Sequence, residues 1–145
     1  MRKDYLNPKE VFRSPYFTHT VAVSGATKLV FIAGQVSYDK NGQVAARGDM
    51  RAQTEQIFES LTHNLKAAGA GWGDVLKING YMVGITPQRL AEYRDTRTRY
   101  LVPGKLPAST LVGVASLVHP DLLLEVEVVA ALAGSEKKAR QKKKR

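Results

Sequence analysis

Cysteine is absent from the 145 residues, and histidine and tryptophan occur only three times and once. Without cysteine there is no disulfide, no thiol nucleophile and no thiolate metal site. His19, His63 and His119 are scattered along the chain and no spacing gathers them with carboxylates, so no metal ion is expected. Long apolar runs are missing as well. Nothing approaches the roughly 20 apolar residues that cross a bilayer. The opening stretch MRKDYLNPKEVF lacks the apolar core of a secretory signal. A cytoplasmic protein without a membrane partner is expected. The P-loop, the dinucleotide-binding glycine motif, the paired-histidine zinc motif and the nucleophile elbow are all absent. The glycines of GAGWG, residues 69–73, follow a predicted helix and precede a predicted strand, the reverse of the order that cradles phosphate.

What is present suits one globular domain, since 145 residues with 43% hydrophobic content can bury a sizeable core. The formal net charge of +9 points toward nucleic acid, but its distribution weakens that reading. From Gly134 the chain runs GSEKKARQKKKR, which holds seven Lys/Arg and one Glu. Without that run, 22 basic and 13 acidic residues become 15 and 12, a net of +3. The expected organisation is a folded domain over 1–133 and a solvated basic tail over 134–145. Any nucleic-acid contact is expected to be weak and to run through the tail.

Alternation of apolar and polar residues predicts a strand over Thr18–Gly25. The continuous run KLVFIAGQV, Lys28–Val36, predicts a strand buried on both faces. Asn41-Gly42 marks a turn. Ile57, Leu61, Leu65 and Ala68 fall on one helical stripe between a cap at Asp49 and Gly69. A strand follows over Asp74–Ile85. A second helix starts at Thr86-Pro87 and runs to about Tyr100. Strands over Ser109–Ser116 and Leu122–Leu132 complete an α+β order β-β-α-β-α-β-β, with both helices on one face of a sheet. The strands carry more apolar surface than two helices can cover, which predicts a homo-oligomer.

Two features carry possible chemistry. In LLLEVEVVA, Glu125 and Glu127 share one face of an otherwise apolar strand. A carboxylate held partly out of water could orient or deprotonate a water molecule, and this pattern serves either residue. The second helix crowds Arg89, Arg94, Arg97 and Arg99 into one segment, and Arg94 and Arg97 share a face. Most helical arginines are solvated, but a guanidinium fork can also clamp a carboxylate.

The motifs SPYFTH, VFIAGQV, the helix-to-strand run ending AGAGWGDVLKINGYM, and LPASTLVGV…LLLEVEVVA occur in the order found in the Rid family. The chain resembles these reactive intermediate deaminases (YjgF or RidA-like, also called endoribonuclease L-PSP) from about Ser14 to Ala131. The resemblance implies a chorismate-mutase-like fold and a homotrimer with clefts between subunits. It also implies hydrolysis of imines or enamines of small carboxylic acids without a cofactor. Within it Glu125 is associated with the attacking water, and Tyr16 and Gly34 line the cleft. The family's usual carboxylate-binding arginine is replaced here by Ser109. Arg94, near a family position that can line the cleft, is the expected substitute, and Arg97 the second. The other readings are a metabolite-binding or regulatory trimer and, third, an endoribonuclease or translation inhibitor. Deleting Ser135–Arg145 is expected to abolish any retention on immobilised RNA together with its salt dependence. Retention that survives the deletion would move the contact into the folded domain.

Overall fold

A computed structural model describes residues 1–134, so nearly all of the expected tail lies outside the described residues. The elements are β1 (Arg2–Leu6), β2 (Thr20–Ser24), β3 (Lys28–Gln35), α1 (Met50–Ala67), β4 (Val75–Val83), α2 (Pro87–Thr98), β5 (Ala108–Val114) and β6 (Leu124–Leu132), with one 3-10 turn at Trp72–Asp74. Strands β3, β6, β4 and β5, in that spatial order, form a mixed four-stranded sheet. β6 runs antiparallel to β3 and β4, and β5 runs parallel to β4 across the α2 crossover. This is the α+β arrangement that the element order predicts and the chorismate-mutase-like fold that the family resemblance implies.

The local chemistry explains the boundaries. Asp49 accepts the Ala52 amide at 2.9 Å and caps α1. At the other end Gly69 takes φ +78°, and the Ala70 amide returns to the Leu65 carbonyl at 2.8 Å. Thr86 accepts the Arg89 amide at 3.1 Å ahead of Pro87, which opens α2. The buried stripe of α1, with Ile57, Phe58, Leu61 and Leu65, packs on Val30, Ile32, Ile78, Met82, Val126 and Val128 of the sheet. Phe58 stacks on Trp72 with ring centroids 5.2 Å apart and also meets Tyr93 and Tyr100, which joins the two helices.

The sequence reading needs two corrections. It has no strand over Arg2–Leu6, whereas β1 pairs antiparallel with β2 in a separate two-stranded sheet. Five residues rich in charge carry too little alternation to announce a strand, and the pairing joins residues 14 to 22 positions apart, from Leu6 with Thr20 to Arg2 with Ser24. The second correction concerns β3, which is buried on one face only in the protomer. Val30 and Ile32 are covered, while Leu29 and Phe31 are 57% and 74% exposed. An unbroken apolar run reports that both faces avoid water somewhere, not that one chain covers both.

Phe58→Ala is expected to cost about 3–5 kcal/mol of stability, the usual range for a fully buried aromatic. Urea unfolding at fixed protein concentration measures it, and a loss below about 1 kcal/mol would show that the aromatic cluster is not what joins the helices.

Candidate functional site

The sequence-predicted residues separate into two groups. Tyr16, Arg94, Arg97 and Ser109 line one cleft of about 280 Å³, together with Phe17, Ile85, Leu90, Tyr93 and Leu111. Gly34 and Glu125 lie together elsewhere. Strand register explains the split. Ser109 stands in the row of buried Ile78, on the face that the helices cover. Glu125 stands in the row of Tyr81, one residue out of phase with buried Leu124 and Val126, and so faces the other side. Within one protomer the carboxylate does not meet the cleft.

The cleft is built where irregular chain, α2 and β5 converge. Arg97 is 2% exposed, and its Nη1 donates to the Tyr16 carbonyl at 2.7 Å. Its Nε and Nη2 are buried without a protein acceptor. Burial lowers its pKa from the ordinary arginine value, Tyr93 opposes that change and Arg94 adds to it. An arginine keeps its proton all the same. Arg94 is half-buried, and its guanidinium carbon sits 4.1 Å from the centroid of the Tyr16 ring. No carboxylate or carbonyl among the described residues takes a hydrogen bond from its guanidinium. The Tyr93 hydroxyl is buried and unpartnered, and burial raises its pKa. Gly80 makes the room for this wall: a methyl there would come within 2.8 Å of Leu111 Cδ1 and 3.5 Å of the Tyr93 hydroxyl. Tyr93 and Leu111 carry no sequence signal beyond apolar character; their role in the wall follows from the packing of α2 over Gly80.

On the opposite face Glu125 lies against the backbone of Gly34. Glu127, the other carboxylate on that face, has one oxygen engaged. It accepts Asn79 Nδ2 at 2.9 Å and the Tyr81 hydroxyl at 3.0 Å, neutral partners on β4 rather than the water or the Lys/Arg pairing that charge alone suggests. The bond from Tyr81 to Glu127 raises the tyrosine's pKa. The alternation Asn79–Gly80–Tyr81 beside Glu125–Val126–Glu127 is the sequence signal for this pairing. Glu125 receives no such bond among the described residues, which separates two carboxylates that strand alternation leaves equivalent. No group of three His, Cys, Asp or Glu side chains among the described residues could hold a metal ion.

A family model described as Endoribonuclease L-PSP matches residues 13–132. The chain belongs to this family. A RutC family protein of Pyrococcus horikoshii is 34% identical over 106 residues, covering 72% of this chain and 80% of that one. The 3-aminoacrylate deaminase RutC of Acinetobacter baylyi is 30% identical over 129 residues, covering 85% and 98%. Among solved structures, the Rid-family protein YyfB of Yersinia pestis, of unknown function, superposes with a TM-score of 0.84 at 31% identity, covering 91% of this chain and all of that one. The RidA/YjgF resemblance of the sequence is therefore membership, and the Rid fold is this L-PSP-family chain's fold. No helix among the described residues is long and apolar enough to cross a membrane.

Gly34→Ala tests the carboxylate's placement. The new methyl would stand 2.7 Å from Glu125 Cδ, and the flexible end of the glutamate can move away. The variant is expected to keep its melting temperature within a few degrees, while its crystal structure shows Glu125 in a different rotamer. An unmoved Glu125 carboxylate would contradict this contact.

Proposed function

We propose that this protein is a cofactor-independent deaminase that hydrolyses an imine or enamine of a small carboxylic acid. Tyr16, Arg94, Arg97 and Ser109 form the acid-binding cleft. Glu125, laid on Gly34, serves the water. The active unit is a cytoplasmic homotrimer in which a neighbouring copy brings its Glu125 to the cleft. Residues 1–133 carry the activity as one RidA-like domain.

The observation that carries this reading is the pairing of an open cleft rich in guanidinium groups with an unspent carboxylate on the uncovered sheet face. Neither half is a complete hydrolytic site. Joining them requires a second protomer, and the uncovered face has apolar surface to bind one, including Leu29, Phe31 and Val112. The deaminase activity named for the Acinetobacter baylyi relative supports the reaction class.

The chemistry follows from the groups. A guanidinium neutralises the substrate carboxylate and fixes its orientation. The Glu125 carboxylate accepts a proton from water as the water oxygen bonds to the carbon of the C=N group. That proton passes to nitrogen and gives a carbinolamine; the hydroxyl proton then follows to the same nitrogen as C–O becomes C=O, the C–N bond breaks, and ammonia and a carbonyl acid leave. Water and an imine thus give ammonia and a carbonyl compound, with no oxidation and no need for a metal or organic group.

The neutral hydroxyl of Ser109, where the family resemblance places an arginine, favours one other reading: a metabolite-binding trimer without turnover. RNA cleavage has less support, because no histidine lines the cleft.

Glu125→Gln separates these. It is expected to abolish ammonia release from imines generated in situ by an amino-acid oxidase, while light scattering still gives three times the 15.9 kDa protomer mass. Turnover that survives the substitution removes Glu125 from the chemistry. Native protein that binds acids but releases no ammonia from any imine tested sinks the deaminase reading in favour of the metabolite binder.

A further inference from the structure

Resting on the cleft proposed above, we infer that Arg94 is its carboxylate anchor and Arg97 a positioning residue, so that the site takes a small monocarboxylate with an apolar body. An anion-binding guanidinium must offer unspent donors where a ligand can reach them. Arg94 does. It is half-buried on the cleft wall, gives its donors to no acceptor among the described residues, and stacks 4.1 Å over the Tyr16 ring. The contact with the ring spends none of the guanidinium's hydrogen-bond donors on an acceptor oxygen, so its N–H groups remain for a carboxylate, which they match in a two-bond fork.

Arg97 does not meet that requirement. It is 2% exposed, Nη1 is spent on the Tyr16 carbonyl at 2.7 Å, and Nε and Nη2 are shut away from solvent. Its bond acts on main chain. It holds Tyr16, an exposed residue of the irregular segment between β1 and β2, against α2. The Tyr16 ring is then in place as the platform for Arg94. The two arginines therefore act in series: one fixes the tyrosine, and the tyrosine orients the other.

The rest of the lining sets the ligand class. Phe17, Ile85, Leu90 and Leu111 are apolar, and Ser109 and Tyr93 add only neutral hydroxyls. The volume of about 280 Å³ falls just below the roughly 300–1,000 Å³ of drug-sized sites. A second carboxylate on the ligand would find no second reachable cation among the described residues that line the cleft and would lose its hydration without compensation.

Calorimetric titration of the full chain with benzoate and with its neutral amide, benzamide, tests the inference. Benzoate is expected to bind, and benzamide to bind at least about tenfold more weakly, because the charge-assisted fork is lost. Arg94→Gln and Arg94→Lys are both expected to lose about tenfold or more in benzoate affinity, since lysine supplies a point charge but neither fork nor stacked plane. At position 97 the outcomes diverge. Arg97→Gln weakens binding, and Arg97→Lys rescues most of the loss, because a single ammonium donor can still hold the Tyr16 carbonyl. Benzoate that fails to bind the native chain at millimolar concentration, or binds Arg94→Gln as tightly as the native chain, overturns the inference. So does full rescue by lysine at position 94 with none at position 97. Imine hydrolysis that survives Arg94→Gln with an unchanged KM overturns the anchor and leaves the deaminase reading standing. Benzoate binding lost in Arg94→Gln, in a protein that hydrolyses no imine, leaves the anchor standing and removes the deaminase.

Discussion

Strands β3, β6, β4 and β5 send alternate side chains to opposite faces of one sheet, and α1 and α2 cover only one of them. Much of the molecule follows from that constraint. Leu124, Val126 and Val128 of β6 are buried under the helices, so Glu125 and Glu127 between them must face away. Ser109 and Leu111 keep step with Ile78 and Gly80 on the covered side and open into the cleft beneath α2. A binding wall and a carboxylate are thereby placed on opposite sides of the same sheet. A one-residue slip of β6 would bury two carboxylates in the core, which fixes the register strongly.

The second constraint is electrostatic. With a serine on β5, positive charge at the cleft comes from the helix that crosses above it. A strand residue is held by the sheet's ladder, whereas Arg94 is held by a tyrosine that is held in turn by Arg97. Burying Arg97 almost completely costs desolvation free energy, visible in its lowered pKa. The bond to the Tyr16 carbonyl offsets part of that cost and brings order to a stretch with no regular structure of its own.

The two carboxylates of β6 show how neighbours assign roles that spacing leaves equal. Asn79 and Tyr81 saturate one oxygen of Glu127, which makes it a structural acceptor. Glu125 meets a glycine instead, and the missing side chain at Gly34 gives its carboxylate room against the backbone. Here one absent methyl group matters more than any charge pair nearby.

The caps at Asp49 and Thr86, the turn at Gly69, the buried stripe of α1 and the strands β3 to β6 are local matters of hydrogen bonding and periodicity, and the sequence by itself determined them. It also marked Glu125 as a charged exception in an apolar strand and Arg94 and Arg97 as part of a crowded run of arginines, while Tyr16, Gly34 and Ser109 came from the family resemblance. It left β1 unannounced, because a five-residue stretch with three charges becomes a strand only by pairing with β2. Periodicity alone left Arg94 level with Arg97 on one helical face and Glu125 level with Glu127 on one strand face, and the expected order came from the family resemblance. Tertiary structure decided which of these side chains already have partners, because the groups that hold their donors and acceptors come from segments distant in the chain.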